Sequence, residues 1–403
     1  MPGTTEDLLD SFARTTDEVV TLEEFKEKLS SGRKLRIKYG VDVTAPLLHI
    51  GHGVNLWMMR EMQDAGHTVV FLIGDFTTRV GDPTGKSQTR PVISRDEIER
   101  NAEEFITQVS VILRTEPEVF EVRRNSEWWD TMSLDEFMSL LSMVNHGRLI
   151  ARDMFQRRIE EGSEIHMHEF LYPVLQGYDS FALESDLTIV GTDQLFNEMM
   201  GRFYQSRLGQ EPQIVITTKI TAGIDGGEKM SKSLGNFISI AHSPRDMFGR
   251  TMSIPDELIV PYLEVYTRVP TGTVDDMRSG LADQSAHPMD AKRFLAQQIV
   301  ARYYGDDAAK DESEWFTRTF SQRELPTDVP TVTVAPGTGL FDLLEAALTG
   351  TSRKEIRRLL AASSVSIDGV KESDPDFVAP EGSLLRVGKR RFFQVAHDSE
   401  RAE

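Results

Sequence analysis

Two short clusters in this chain carry the residue types that phosphate chemistry needs, His49-Ile50-Gly51-His52 and Lys229-Met230-Ser231-Lys232-Ser233. The two histidines are three residues apart, which at the start of a helix lets both rings face one ligand. A helix N-terminus favours phosphate, and Gly51 lets a backbone or a planar base approach closely. The second cluster follows Gly223, Gly226 and Gly227 in a loop able to close over a triphosphate. Attack at an α-phosphate builds negative charge on the departing pyrophosphate, and the ammonium groups of Lys229 and Lys232 would stabilise it. Taken singly, the first cluster is a match that chance supplies and the second a solvated surface loop. Found together, in this order and about 180 residues apart, they favour nucleotide chemistry.

Three further groups stand between or beside them. Tyr172, Gln176 and Asp179 fall at i, i+4 and i+7, so a helix would project a phenol, an amide and a carboxylate from one face. The alternative is an amphipathic helix whose polar face is wet. Gly191-Thr192-Asp193-Gln194 ends an apolar run, where α/β folds bind ligands. Gly81-Asp82-Pro83-Thr84-Gly85-Lys86, with Arg90 shortly after, joins an acidic group to basic ones in a short loop, and its alternative is a plain Asp-Pro turn. His166-Met167-His168-Glu169 imitates a metal pair but lacks separated third and fourth ligands, so no metal site is expected. Trp128-Trp129 beside Asn125 reads as packing.

These residues need a scaffold. A short helical stretch fits Leu22 to Leu29. A strand over Lys34 to Tyr39, a helix over Gly51 to Ala65 closed by Gly66, and a β-branched strand over Thr68 to Ile73 predict a parallel sheet with right-handed crossovers. Residues 94–170 alternate charged and apolar positions at helical spacing and are expected to form a helical insertion. The sheet resumes at Leu187 to Val190 and at Gln213 to Thr217. The expected organisation is a Rossmann-like catalytic domain over 1–240, an α-helical domain over 241–325, a Pro/Thr/Val-rich linker over 326–337 and a small α+β domain over 338–398.

Composition narrows the classes. At 403 residues the chain exceeds one ordinary core. It has no cysteine, which excludes disulfides, thiolate metal sites and cysteine nucleophiles. No apolar run approaches bilayer length, and Met1 to Asp10 lacks a secretory pattern. A formal net charge of −19 argues against coating nucleic acid by bulk charge, so any such contact must be local. One local patch exists. Between Thr351 and Val395 nine Lys/Arg face six Asp/Glu, and Arg353, Lys354, Arg357 and Arg358 lie together on one predicted helix. Its alternative is a solvated basic helix.

The two clusters match the HIGH and KMSKS signatures of class I aminoacyl-tRNA synthetases without a substitution. From about Leu35 to Val395 the chain resembles the tyrosyl branch, bacterial type, and its tail resembles an S4-type RNA-binding domain. The resemblance implies an ATP-dependent ligase that forms tyrosyl-adenylate and transfers tyrosine to tRNA. Catalytic roles would fall to His49, His52, Lys86, Arg90, Lys229 and Lys232. ATP contacts would come from Asp42, Thr44, His49, Gly51 and His52, and from Gly191, Asp193 and Lys232. Tyrosine would meet Gly40, Asp82, Tyr172, Gln176, Asp179 and Gln194, with Asp179 accepting the phenolic hydroxyl. Arg353, Lys354, Arg357 and Arg358 would contact tRNA. Mg2+ would arrive with ATP, and a cytoplasmic homodimer is implied.

Two positions depart from the family. Many tyrosyl enzymes place a tyrosine four residues before the Asp that precedes HIGH. Here that Asp is Asp42 and the position holds Lys38, with Tyr39 one step on and pointing to the opposite face of a strand. This is similar to a bacterial branch with Lys-Leu-Gly, Tyr39 replacing Leu. Val43 stands where proline is usual. A tryptophanyl-type enzyme, a tyrosine-analogue synthetase and a noncatalytic RNA-binding paralogue are the alternatives. The intact histidines and lysines count against the last.

Overall fold

The computed structural model describes residues 5–44, 47–82, 94–231, 234–321, 329–388 and 391–398. Six strands form the main sheet: β1 (Thr16–Val20), β2 (Arg36–Val41), β3 (Thr68–Ile73), β4 (Phe120–Arg124), β5 (Leu187–Gly191) and β6 (Ile214–Thr218). Their order is β1-β6-β5-β2-β3-β4, with only β1 antiparallel to its neighbour. β3 is buried at all six positions, as expected for an apolar run inside a parallel sheet covered on both faces. The chain runs outward from β2 through β3 to β4, then returns to β5 and β6. The carboxyl ends of β2 and β5 therefore flank a topological switch point, where open α/β sheets bind ligands.

The helix after β2, Ile50–Asp64, begins at His49 and ends at Ala65, and Gly66 takes the left-handed φ of +95°. Helices Pro244–Thr251, Ile259–Tyr266, Thr271–Ala282, Pro288–Tyr304 and Asp306–Phe316 follow the main sheet. Their apolar residues, including Tyr262, Leu295 and Ile299, share one continuous core with β2, β3 and the Ile50–Asp64 helix. A core break at residue 240 is therefore absent among the described residues.

Two expectations are corrected. The stretch 94–170 is not uniformly helical, because Phe120–Arg124 forms edge strand β4 in parallel register with β3. Its charged residues Glu121, Arg123 and Arg124 gave it the look of an amphipathic helix, yet on an edge strand they reach solvent, Arg123 pairing with Glu121 and Arg124 with Glu99. The expected linker over 326–337 contains β7 (Thr331–Val334), whose alternate residues Val332 and Val334 are buried. β7 pairs in parallel with β11 (Arg391–His397), in a second sheet with β8 (Val365–Ile367), β9 (Val370–Lys371) and β10 (Leu384–Val387). Asp368 and Gly369, both at positive φ, join β8 to β9 as a two-residue hairpin turn. This sheet has its own core of Leu340, Leu344, Ile356, Leu385 and neighbours. Among the described residues no helix is long and apolar enough to cross a membrane.

Candidate active site

A cavity of about 410 Å³ opens at the switch point. One end is built from the two sequence clusters. His49 caps the Ile50–Asp64 helix, its Nδ1 accepting from the Gly51 N–H at 3.2 Å, while His52 Nδ1 accepts from the His49 N–H at 3.3 Å. With both Nδ1 atoms accepting, the proton of each neutral ring sits on Nε2, so each ring carries one N–H donor. The rings are 3.9 Å apart and both line the cavity. At Gly51 a Cβ would come within 2.9 Å of His49 Nδ1, so only glycine lets His49 cap its own helix.

The lysine loop is tied to the same place. Ile50 N–H donates to Ile238 O at 2.9 Å and Ile240 N–H to Leu48 O at 3.1 Å, so the segment leaving the loop runs beside His49. Inside the loop Asn236 accepts from Ser231 N–H at 2.8 Å and donates to Asp225 and Glu228 O. A Cβ on Gly223 would stand 2.6 Å from Asn236 Cγ, which makes that glycine obligatory. Lys229 Nζ pairs with Asp193 Oδ2 at 3.0 Å across a half-exposed surface. Such a pair is worth at most about 1 kcal/mol, and an incoming phosphate would readily compete for the ammonium.

The other end is a buried polar cluster. Helix Met167–Ala182 brings Tyr172, Gln176 and Asp179 to the cavity on one face, as the i, i+4, i+7 spacing predicts. Tyr172 donates its hydroxyl to Asp42 Oδ2 at 3.1 Å, and Thr77 donates to Asp42 Oδ1 at 2.9 Å. Burial, and after it Asp42, hold the Tyr172 phenol well above its ordinary pKa, so it stays a neutral donor. Gln194 Nε2 donates to Asp82 Oδ2 at 2.9 Å, placing that carboxylate at the cavity wall.

Asp179 is 2% exposed. Its Oδ1 accepts from the indole N–H groups of Trp129 at 2.8 Å and Trp128 at 2.9 Å, and its Oδ2 from Asn125 Nδ2 at 3.2 Å. Burial raises its carboxyl to about 7, opposed by the charge of Lys38 and by these three donors. Trp128, Trp129 and Asn125 thus do more than pack. Lys38 and Glu198, which composition did not single out as a pair, are both about 2% exposed and bridge at 2.7 Å beneath the same cavity.

Of the sequence-derived candidates, Gly40, Asp42, Thr44, His49, Gly51, His52, Asp82, Tyr172, Gln176, Asp179, Gly191, Asp193, Gln194 and Lys229 all line this one cavity. Lys86, Arg90 and Lys232 lie outside the described residues. Arg353, Lys354, Arg357 and Arg358 are remote from it, exposed on helix Arg353–Ala361 in the second core. His166 caps its own helix and Glu169 pairs with Arg158. Among the described residues no three His, Asp or Glu could hold a metal.

Residues 30–321 match the family described as tRNA synthetases class I (W and Y). The chain belongs to that family. A tyrosine–tRNA ligase of Oleidesulfovibrio alaskensis is 44% identical over 391 residues, covering 96% of this chain and 98% of that one. One from Thermotoga maritima is 40% identical and covers 98% of both. Among solved structures, a C-terminally truncated Aspergillus nidulans mitochondrial tyrosyl-tRNA synthetase superposes with a TM-score of 0.62 at 23% identity. It covers 78% of this chain and 94% of that one, a likeness in fold. For a class I synthetase, the family match ends at Ser321, before the second sheet begins.

Proposed function

We propose that the chain is a tyrosine–tRNA ligase, which activates L-tyrosine with ATP and transfers it to tRNA(Tyr). The observation that carries the amino-acid choice is Asp179, a buried carboxylate at the cavity with Oδ1 occupied by two indole donors. Oδ2 has one donor and accepts the phenolic O–H. The naming of full-length relatives at 40–44% identity supports the same reading. Asp82, Tyr172, Gln176 and Gln194 surround the substrate ammonium. ATP lies over Gly191 and Asp193 with its phosphates at His49 and His52. The tyrosine carboxylate attacks the α-phosphate, and pyrophosphate leaves toward Lys229, Lys232, Lys86 and Arg90. Mg2+ enters with ATP as part of the substrate. The terminal ribose hydroxyl of tRNA then takes the tyrosyl group and releases AMP. No side chain forms a covalent bond, since positioning and charge stabilisation suffice. The enzyme works as a cytoplasmic homodimer.

Amino-acid-dependent ATP–pyrophosphate exchange tests this directly. Among the twenty amino acids, tyrosine should support exchange, with phenylalanine weaker by roughly 10⁴–10⁵. A preference for tryptophan, or no exchange at all, overturns the reading.

The protonation of Asp179 adds a pH signature. Only the ionised carboxylate accepts the phenol O–H fully, and its carboxyl is raised to about 7 in the free protein. Below that pH the exchange kcat/KM for tyrosine should fall about tenfold per unit, levelling off above it. At saturating tyrosine the fall should flatten, because bound phenol favours the ionised form. A flat kcat/KM profile between pH 6 and 8 would place the acceptor elsewhere.

A further inference from the structure

Glycine inside a helix is disfavoured against alanine, so a glycine held in a first turn needs a physical reason. Gly53 is such a residue. It is buried in helix Ile50–Asp64, and its N–H donates to His49 O at 3.1 Å, closing the turn that carries His49 and His52. A Cβ there would overlap the Tyr303 hydroxyl outright, while the ring carbon bearing that hydroxyl would stand at 3.5 Å, an ordinary contact. The hydroxyl of Tyr303 therefore occupies the side-chain space of Gly53. Burial raises its phenol to about 12, so it sits there as a neutral group. One turn along the same helix face, Trp57 meets the Tyr303 ring edge-on at 5.9 Å. Arg302 and Arg268 lie over the Trp57 ring at 4.9 and 5.3 Å. Tyr303 lies at the end of helix Pro288–Tyr304, whose Leu295, Ile299 and Val300 are buried in the main core, and Tyr304 donates its hydroxyl to His242 O. A packed element presents the phenol, and Tyr303 itself does not line the cavity.

Resting on the adenylate chemistry proposed above, we infer that Tyr303 is a positioning residue for amino-acid activation. Its hydroxyl, seated in the space left by Gly53, fixes the turn that aims His49 and His52 at the phosphates of ATP. Both rings accept through Nδ1 from backbone N–H groups of this turn, so a displaced turn carries both Nε2 donors with it. A shift of about 1 Å in such donors can cost on the order of 10²-fold in rate. The helices after the main sheet thereby set the geometry of the reacting end.

The test is a size swap in the full chain. Gly53→Ala adds a methyl against the hydroxyl, Tyr303→Phe removes the hydroxyl, and the double variant puts the methyl where the hydroxyl was. Tyrosine-dependent ATP–pyrophosphate exchange is measured on all four proteins, with kcat and KM separated. Rates are taken per active site, counted by the stoichiometric burst of adenylate, and thermal unfolding is followed alongside. Gly53→Ala should lower kcat about 10- to 100-fold while KM for tyrosine stays within about twofold. Tyr303→Phe, which leaves a gap, should lower kcat about tenfold, and the double variant should return to within about twofold of the parent. Should Gly53→Ala not fold, Tyr303→Phe against the double variant decides, because the added methyl should raise the rate. A folded Gly53→Ala with the parental kcat per site overturns the inference, since the contact would then serve folding alone. A double variant no faster than Tyr303→Phe overturns it as well. Absence of tyrosine-dependent exchange in the parent would instead sink the function proposed above.

Discussion

Replacing Asp179 by asparagine should cut the preference for tyrosine over phenylalanine from roughly 10⁴–10⁵ to on the order of 10² or less. Asparagine keeps one carbonyl oxygen for the indole donors of Trp128 and Trp129, which now meet Oδ1 at 2.9 and 2.8 Å. Its amide nitrogen replaces the oxygen that would accept the phenol and that now accepts from Asn125 Nδ2 at 3.2 Å, so one buried donor loses its acceptor. Alanine is the worse test, because it strands three buried donors at a cost of about 1–3 kcal/mol each. Stability offers a control. A carboxyl whose folded pKa is raised loses stability as pH climbs from its unfolded value, near 4, to about 7. The asparagine variant carries no such charge, so its unfolding midpoint relative to the parent's should rise between about pH 4 and pH 8. Steady-state exchange with both amino acids, alongside thermal unfolding, reads both effects. A discrimination ratio unchanged in a stable variant would remove Asp179 from phenol recognition.

Much of this site is legible because its chemistry is local. His49 and His52 sit one turn apart, and Tyr172, Gln176 and Asp179 share one helix face, so helical period alone groups each set. The sheet around them follows from β-branched runs such as Thr68–Ile73. What stayed hidden depends on partners distant in sequence. Nothing in Trp128-Trp129 announces that two indole N–H groups converge on a carboxylate about 50 residues later. Lys38 and Glu198 are 160 positions apart, and only the alignment of β2 with helix Leu195–Arg207 makes them a pair. Edge strands were the other loss. β4 and β7 each bury one face or less, and charged or Thr/Pro-rich neighbours mask their short alternation.

Ending the chain after Ser321 should leave amino-acid-dependent pyrophosphate exchange near the parent rate while tRNA charging efficiency falls at least about 10²-fold. The cut must precede Thr331, because β7 belongs to the second sheet and dividing it would expose that core. Every described residue lining the cavity lies at or before Tyr266, and the buried residues of the main core end at Ala309. The removed part carries Arg353, Lys354, Arg357 and Arg358 on one helix, capped by Ser352 and all exposed. Arg353 and Arg357 lie over Phe341 at 4.9 and 5.6 Å, which stiffens their stems and holds the charges outward. The whole chain carries a net charge of −19, so tRNA contact there depends on local basic groups of this kind. Losing several phosphate contacts should also flatten the salt dependence of tRNA binding, by about 0.7–0.9 in log–log slope per contact. Contacts do cross the cut, among them Trp315 meeting Phe392 edge-on at 6.3 Å, so thermal unfolding of the shortened chain is measured first. Charging that survives intact would remove the tail as the tRNA anchor. Exchange that collapses in a folded protein would mean that the tail supports the catalytic end as well, through contacts such as that of Trp315.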